Sequence, residues 1–199
     1  MIRPVENFRD HTKDPLRMLL LIQGCKRNDR ESQRLLYQHM YSYAMSICTR
    51  YCYSKNEAQE VLNDGFLHVF QKISQYKEDM SFHGWVRRIM INASIDHYRR
   101  EKRHYFHADI SLQPESAGHH ASGLDNLAHE ELIEMVCHLS PAYRAVFNLH
   151  VIDGYTHPEI AGLLNISEGT SKSNLVKARE ALRKMIEQKS GKQYAKSVG

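Results

Sequence analysis

Residues 156–186 read THPEIAGLLNISEGTSKSNLVKAREALRKMI, and this stretch decides the fold class. Thr156 followed by Glu159 is a capping-box pair, so a helix starts here. It is short, because Asn165 can adopt the left-handed backbone that a tight turn needs. Ser167 can cap a second, longer helix running to about Gln188. Ile160, Ala161 and Leu164 of the short helix face Leu175, Ala178 and Leu182 of the long one, and Ile166 fills the gap between them. This is the layout of a helix-turn-helix. It leaves Thr170, Ser171, Lys172, Asn174, Lys177 and Arg179 facing outward. Short polar side chains near the N-terminus of such a helix reach base edges in a DNA groove, and basic ones beyond them take phosphates.

Working outward, every other periodic segment also reads as helix. Ser140-Pro141 starts a helix that stops at Asp153-Gly154. Ala58, Val61, Leu62, Gly65, Phe66, Val69, Phe70 and Ile73 form an i, i+3, i+4 stripe. Leu36, Met40, Ala44, Ile47, Cys48 and Tyr51 have the same spacing. Ser81 can cap a helix carrying Phe82, Trp85, Ile89 and Ala93. Residues 104–128 break the pattern with Pro114, Gly118, Gly123 and several Ser and His, which predicts a flexible linker. The expected architecture is therefore all-α: a helix bundle over 14–103, the linker, and a helix-turn-helix domain over 129–188, with a polar frayed tail.

Composition narrows the function. The 199 residues are 42% hydrophobic and 25% charged, with a net charge of +4. The basic excess is concentrated: residues 87–103 hold six Arg or Lys against two acids, and residues 165–199 hold eight against three. Acids gather at Glu57, Glu60 and Asp64 and at Glu130, Glu131 and Glu134. Two basic surfaces with an acidic face between them suit a polyanion and a second, basic partner. On the 57–73 helix the outer face is Glu60, Asn63, Asp64, Leu67 and Gln71, where an exposed Leu among acids and amides suits a protein partner. On the 82–103 helix Arg87, Arg88, Arg99, Arg100, Lys102 and Arg103 can contact phosphates, and Asn92 can hydrogen-bond a base. Trp85 can stack on a base, although a lone Trp on an apolar stripe is more often core.

Catalysis and metal binding have no support at this level. There is no G-x-S-x-G, P-loop or H-E-x-x-H. None of the four cysteines forms a C-x-x-C pair, and the thirteen histidines show no zinc-ligand spacing with them. The expectation is a chain without metal, cofactor or chemistry of its own. The N-terminus has no apolar leader and no stretch is long enough to span a membrane, which predicts a cytoplasmic protein with reduced thiols.

The motifs also carry a family resemblance. Glu159-Ile160-Ala161, Leu164, Ile166-Ser167, Gly169-Thr170, Lys172-Ser173, Leu175 and Ala178-Arg179 resemble the promoter-reading helix-turn-helix of extracytoplasmic-function (ECF) sigma factors. Leu139, Pro141, Arg144, Val146, Phe147 and Leu149 match the run that precedes it. NEAQEVLNDGFLHVFQKI resembles the family's polymerase-binding helix through Glu60, Asn63, Asp64 and Phe66. SFHGWVRRIMINASIDHYRR resembles its minus-ten-reading helix through Phe82, Trp85, Arg88, Ile89, Asn92, Ile95, Asp96 and Arg99. The chain departs from the pattern at Ser171, Asn174 and Gly65.

The resemblance implies sigma region 2 followed by region 4, binding to core RNA polymerase, and contact with promoter DNA in duplex and single-stranded form. It assigns Glu60, Asn63, Asp64 and Leu67 to the polymerase, and Trp85, Arg88, Asn92, Arg99 and Arg100 to the minus-ten element. The loop 74–80, with Tyr76, would help hold a flipped base. Thr170, Ser171, Lys172, Asn174, Lys177 and Arg179 fall to the minus-thirty-five element. An anti-sigma factor becomes a candidate partner. The alternative is a helix-turn-helix regulator with no polymerase-subunit role. A two-component regulator would instead need an alternating α/β first half, which the helical reading excludes.

Overall fold

The computed structural model describes the backbone over 15–105 and 124–197 and side-chain surroundings over 16–102 and 131–189. Every described element is helical: α1 Pro15–Lys26, α2 Arg30–Tyr51, α3 Lys55–Lys72, a 3-10 turn Ile73–Gln75, α4 Phe82–Tyr105, α5 Leu124–Cys137, α6 Pro141–Phe147, a π turn Asn148–Ile152, α7 His157–Leu164 and α8 Glu168–Ser197.

Local sequence explains where these helices begin. Asp29 caps α2 by accepting from the Ser32 amide at 2.9 Å, and Ser54 caps α3 by accepting from the Glu57 amide. Both use a side-chain oxygen for an amide with no intrahelical partner. At α7 the capping box is complete: the Thr156 amide donates to Glu159 Oε2 at 2.8 Å while Thr156 accepts from the Glu159 amide. That hydroxyl-carboxylate pairing holds the Glu159 carboxyl below its usual range. Asn165 closes the helix in the left-handed conformation at φ 51°.

The first core is built from the expected α2 and α3 stripes, and on α4 from Val86 and Met90, which the expected stripe did not include, beside Ala93, which it did. Leu36, Met40, Ala44, Ile47 and Cys48 of α2 meet Ala58, Val61, Leu62, Phe66 and Val69 of α3, with Val86, Met90 and Ala93 of α4 closing the third side. Truncating any of the large members to Ala costs about 2–5 kcal/mol in sites of this kind. Gly65 faces α4 beneath the Met90 side chain. A Cβ there would stand 2.4 Å from Met90 Sδ. This accounts for a glycine in mid-helix at a propensity cost of about 1 kcal/mol relative to Ala. Gly65→Leu is expected to destabilise the protein by roughly 2–3 kcal/mol through overpacking, measured by denaturant melts. An unchanged midpoint would mean that α4 can move away from α3.

Three boundaries differ from the sequence expectation. Leu124, Leu127 and Ala128 already carry helical spacing, and α5 begins at Leu124, five residues inside the expected linker. α4 runs to Tyr105, and residues 106–123 of that linker lie outside the described residues. α8 continues to Ser197 rather than ending near Gln188, since its polar tail contains no proline to stop it. Between α6 and α7 the chain widens into the π turn, which the periodicity did not signal. There the Asp153 amide donates to the Asn148 carbonyl at 2.9 Å, and Gly154 turns the chain at φ 78°.

Candidate polymerase and nucleic-acid interfaces

Glu60, Asn63, Asp64 and Leu67 are spaced i, i+3, i+4, i+7, so α3 puts them in one stripe opposite its buried side. Leu67 is 55% exposed. Asn63 is held in place, because its Oδ1 accepts from Tyr37 Oη at 3.2 Å and from Gln59 Nε2 at 3.0 Å. Asp64 is paired: Arg100 Nη2 of α4 donates to its Oδ2 at 2.9 Å. This contact joins two residues that the sequence reading assigned to different partners. Arg88, Asn92 and Arg99 lie within about 40° of one another around α4, at 3.6 residues per turn, whereas Arg100 is rotated about 100° from Arg99 toward α3. Arg100 therefore does not share the face of the other three.

Two members of the expected single-strand site pack against each other. Tyr76 is only 7% exposed. Its ring packs edge-on to Phe82 at 5.1 Å and against Trp85 at 5.5 Å, and its hydroxyl donates to the Met80 carbonyl. It is the anchor of the 74–80 loop and offers no free face for stacking. Trp85 completes that aromatic cluster, 5.7 Å from Phe82, and is half-buried. Alternation of apolar and polar residues could not separate a Tyr that anchors a loop from one that faces a ligand. The loop is also braced from α1, where Gln23 Nε2 donates to Glu78 at 2.8 Å.

In the helix-turn-helix, Ile160 and Leu164 are buried against Leu175 and Ala178 as expected. Ser171 is fully buried, its Oγ 2.9 Å from His157 Nδ1, so it does not reach a groove. Ser171 falls on the inward side of α8 with Leu175, Ala178 and Leu182, one turn before Leu175. Its polarity concealed this position, and His157 is the polar partner that lets it be buried. Desolvation first, then His150 stacked at 4.4 Å, holds the His157 imidazole below its ordinary range. Asn174 is half-buried on a flank, whereas Thr170, Lys172, Lys177 and Arg179 are exposed. Thr170 is partly engaged in the α8 cap, with its amide donating to Ser167 Oγ at 3.0 Å. The outermost strip of α8 also contains Ser173 and Val176, which the sequence reading passed over; Val176 is 55% exposed.

The two halves of the chain are in direct contact. Asn148 Nδ2 donates to the Arg50 carbonyl at 2.6 Å, and the Cys137 thiol donates to the Thr49 carbonyl. The second half thus satisfies carbonyls in the last turn of α2, which have no intrahelical partner. Asp153 accepts from Tyr51 Oη, from Arg87 Nη2 and from Arg50 Nη2 at 3.4 Å. Arg99 donates to the Leu163 carbonyl as well as to Asp96. A cleft of about 870 Å³ lies alongside, lined by Asp64, Leu67, Arg99, Arg100, Gly162 and Asn165.

Comparison with known proteins reaches the same two halves. Residues 36–104 match the family model for sigma-70 region 2, and residues 129–182 match that for sigma-70 region 4. The chain is similar to the RNA polymerase sigma-H factor of Pseudomonas aeruginosa, 24% identical over 84% of this chain and 92% of that protein. It is 28% identical to the ECF RNA polymerase sigma factor SigW of Bacillus subtilis, over 70% of this chain and 81% of SigW. The chain belongs to the ECF sigma factors. As such it is an RNA polymerase sigma factor that functions in promoter recognition. Among solved structures, the sigma factor RpoE from Bartonella quintana, in complex with the anti-sigma factor NepR, shares the fold. Its TM-score is 0.51 and its identity 17%, over 77% of this chain and 96% of that one. No described helix of this sigma factor is long and apolar enough to cross a membrane.

Proposed function

We propose that this sigma factor docks on core polymerase through the Glu60, Asn63, Asp64 and Leu67 stripe of α3. In this reading Arg88, Asn92 and Arg99 of α4 hold the melted minus-ten strand, and the outer strip of α8 enters the major groove of the minus-thirty-five element. The observation that supports it is the separation of three faces, each opposite a buried apolar one; on the α4 face Arg88 and Asn92 are exposed, and Arg99 would have to leave the Leu163 carbonyl to join them. Thr170, Lys172, Lys177 and Arg179 serve on α8 together with Ser173 and Val176, and Asn174 serves from the flank. An exposed Val at this position suits a thymine methyl group. The first domain then runs to 105 and the second begins at 124, earlier than the 129 read from sequence. The protein performs no chemistry itself and works in the cytoplasm, where polymerase and DNA are. NepR on the Bartonella quintana protein supports an anti-sigma partner here too.

Run-off transcription with core polymerase, followed by start-site sequencing, tests the assignment. Two variants separate kinds of contact. Lys177→Ala is expected to weaken all duplex sequences alike and to lower the salt slope of binding by about one ion. Val176→Ser is expected to relax preference at one position of the minus-thirty-five element, by about 1 kcal/mol, and to leave the salt slope alone. A sequence-independent loss in both variants would remove α8 as the reading helix.

A further inference from the structure

The fold assembles a set of metal-ligand side chains that no sequence spacing announces. Cys52 is the C-cap of α2, Glu57 lies in the first turn of α3, and His97 lies in the middle of α4. Their ligand atoms fall within 4.8 Å of one another. Glu101, one turn beyond His97, brings Oε1 to 3.7 Å from His97 Nε2. We propose that Cys52, Glu57 and His97 bind a divalent transition-metal ion of the zinc class, with Glu101 as the fourth ligand.

Four features carry this beyond proximity. The first is an unused nitrogen: His97 Nε2 is buried and has no hydrogen-bond partner. Buried polar atoms are seldom left that way, and a metal ion is one of the partners that removes the cost. The second is availability. Glu57 accepts from the Tyr53 amide at 2.9 Å through Oε2 alone. A carboxylate has two oxygens, so capping α3 leaves the other free. The third is access, since Glu57 and Glu101 also line a groove of about 620 Å³ beside the cluster.

The fourth is charge. Arg144 of α6 lines the same groove as Glu57 and Glu101. A Cys52 thiolate with the Glu57 and Glu101 carboxylates would set three negative charges against Arg144 and Lys102 of the same groove, so a divalent ion meets net negative charge. Thiolate with imidazole and carboxylate selects zinc, cobalt or nickel over magnesium and calcium, which take oxygen ligands. Because the ligands come from α2, α3 and α4 and Arg144 comes from the second half, an ion here would stiffen the corner where the two halves meet.

The test uses the purified full chain, stripped with a chelator and titrated with Co²⁺. The expected result is one ion per chain with a thiolate-to-cobalt charge-transfer band, displaced by Zn²⁺, and a melting temperature that rises with metal concentration. Cys52→Ser should abolish the band, and His97→Gln should weaken binding by at least about ten-fold. Cys25→Ser, just before the start of α2 whereas Cys52 caps its end, should change neither. If Cys52→Ser fails to fold, His97→Gln and Glu101→Gln decide the matter. The proposal is overturned if no thiolate band forms, or if affinity is unchanged in His97→Gln, since binding would then belong to other histidines.

Discussion

Asp153→Ala is expected to lower the stability of the whole protein by about 2–3 kcal/mol and to loosen the second half from the first. The Asp153 side chain is fully buried, and its three partners, Tyr51, Arg50 and Arg87, all belong to α2 and α4. The π turn and Gly154 together aim it across the seam. Removing one member of a buried charge pair costs about 3–5 kcal/mol, because the other member is left without compensation. The guanidinium groups are not sealed, however: Arg50 and Arg87 keep 17% and 38% of their side-chain surface. Water can reach them once the carboxylate is gone, which brings the loss to the bottom of that range or just below it. The Tyr51 hydroxyl has no such recourse. Burial and the adjacent Asp153 already push it well above the ordinary tyrosine range, so it stays a neutral donor and would lose its acceptor. Asp153→Asn keeps an acceptor for Tyr51 but loses the charge, and should fall between the two. Denaturant melts measure the first effect, and a small-angle scattering radius measures the second. A radius unchanged in Asp153→Ala would show that the Asn148 and Cys137 contacts hold the seam alone.

Much of this architecture is legible in the sequence because most elements bury one side. The α2 and α3 stripes, the Thr156–Glu159 capping box and the left-handed Asn165 each follow from a local rule, and each is found in place. What was not legible depends on contacts between distant residues. Ser171 looks like a groove residue until His157, on another helix, is seen to partner it. Tyr76 looks like a platform until the loop it anchors folds back over Phe82. Arg100 has the composition of a DNA contact, and its pairing with Asp64 emerges only once α3 and α4 are packed together. Cys52, Glu57 and His97 have no motif spacing because α2, α3 and α4 converge on them only in three dimensions. The start of α5 was missed for a different reason: the surrounding Gly, Ser and His residues outweighed a short apolar repeat.

Leu67→Glu is expected to weaken binding to core polymerase by about 30- to 100-fold while leaving the fold intact. Leu67 is 55% exposed and contributes little to its own core, so a surface change there should alter stability by no more than about 0.5 kcal/mol. At a protein interface the balance differs. A large apolar side chain with Glu60, Asn63 and Asp64 beside it is the arrangement in which a desolvated centre is surrounded by polar contacts. Truncating such a centre costs about 2 kcal/mol or more, and a buried charge in its place adds to that. Asp64 is a less clean probe, because reversing its charge would also set two cations side by side at Arg100. An exposed ion pair of this kind contributes only about 0–1 kcal/mol, so Arg100→Ala should leave stability nearly unchanged. It should also free Asp64 for a basic partner. Anisotropy titrations of labelled sigma factor with core polymerase then give a signed pattern: a large loss for Leu67→Glu, and no loss or a small gain for Arg100→Ala. Equal losses in both variants would mean that the Asp64–Arg100 pair is itself part of the docking surface. Unimpaired binding of Leu67→Glu would take the α3 stripe out of the interface altogether.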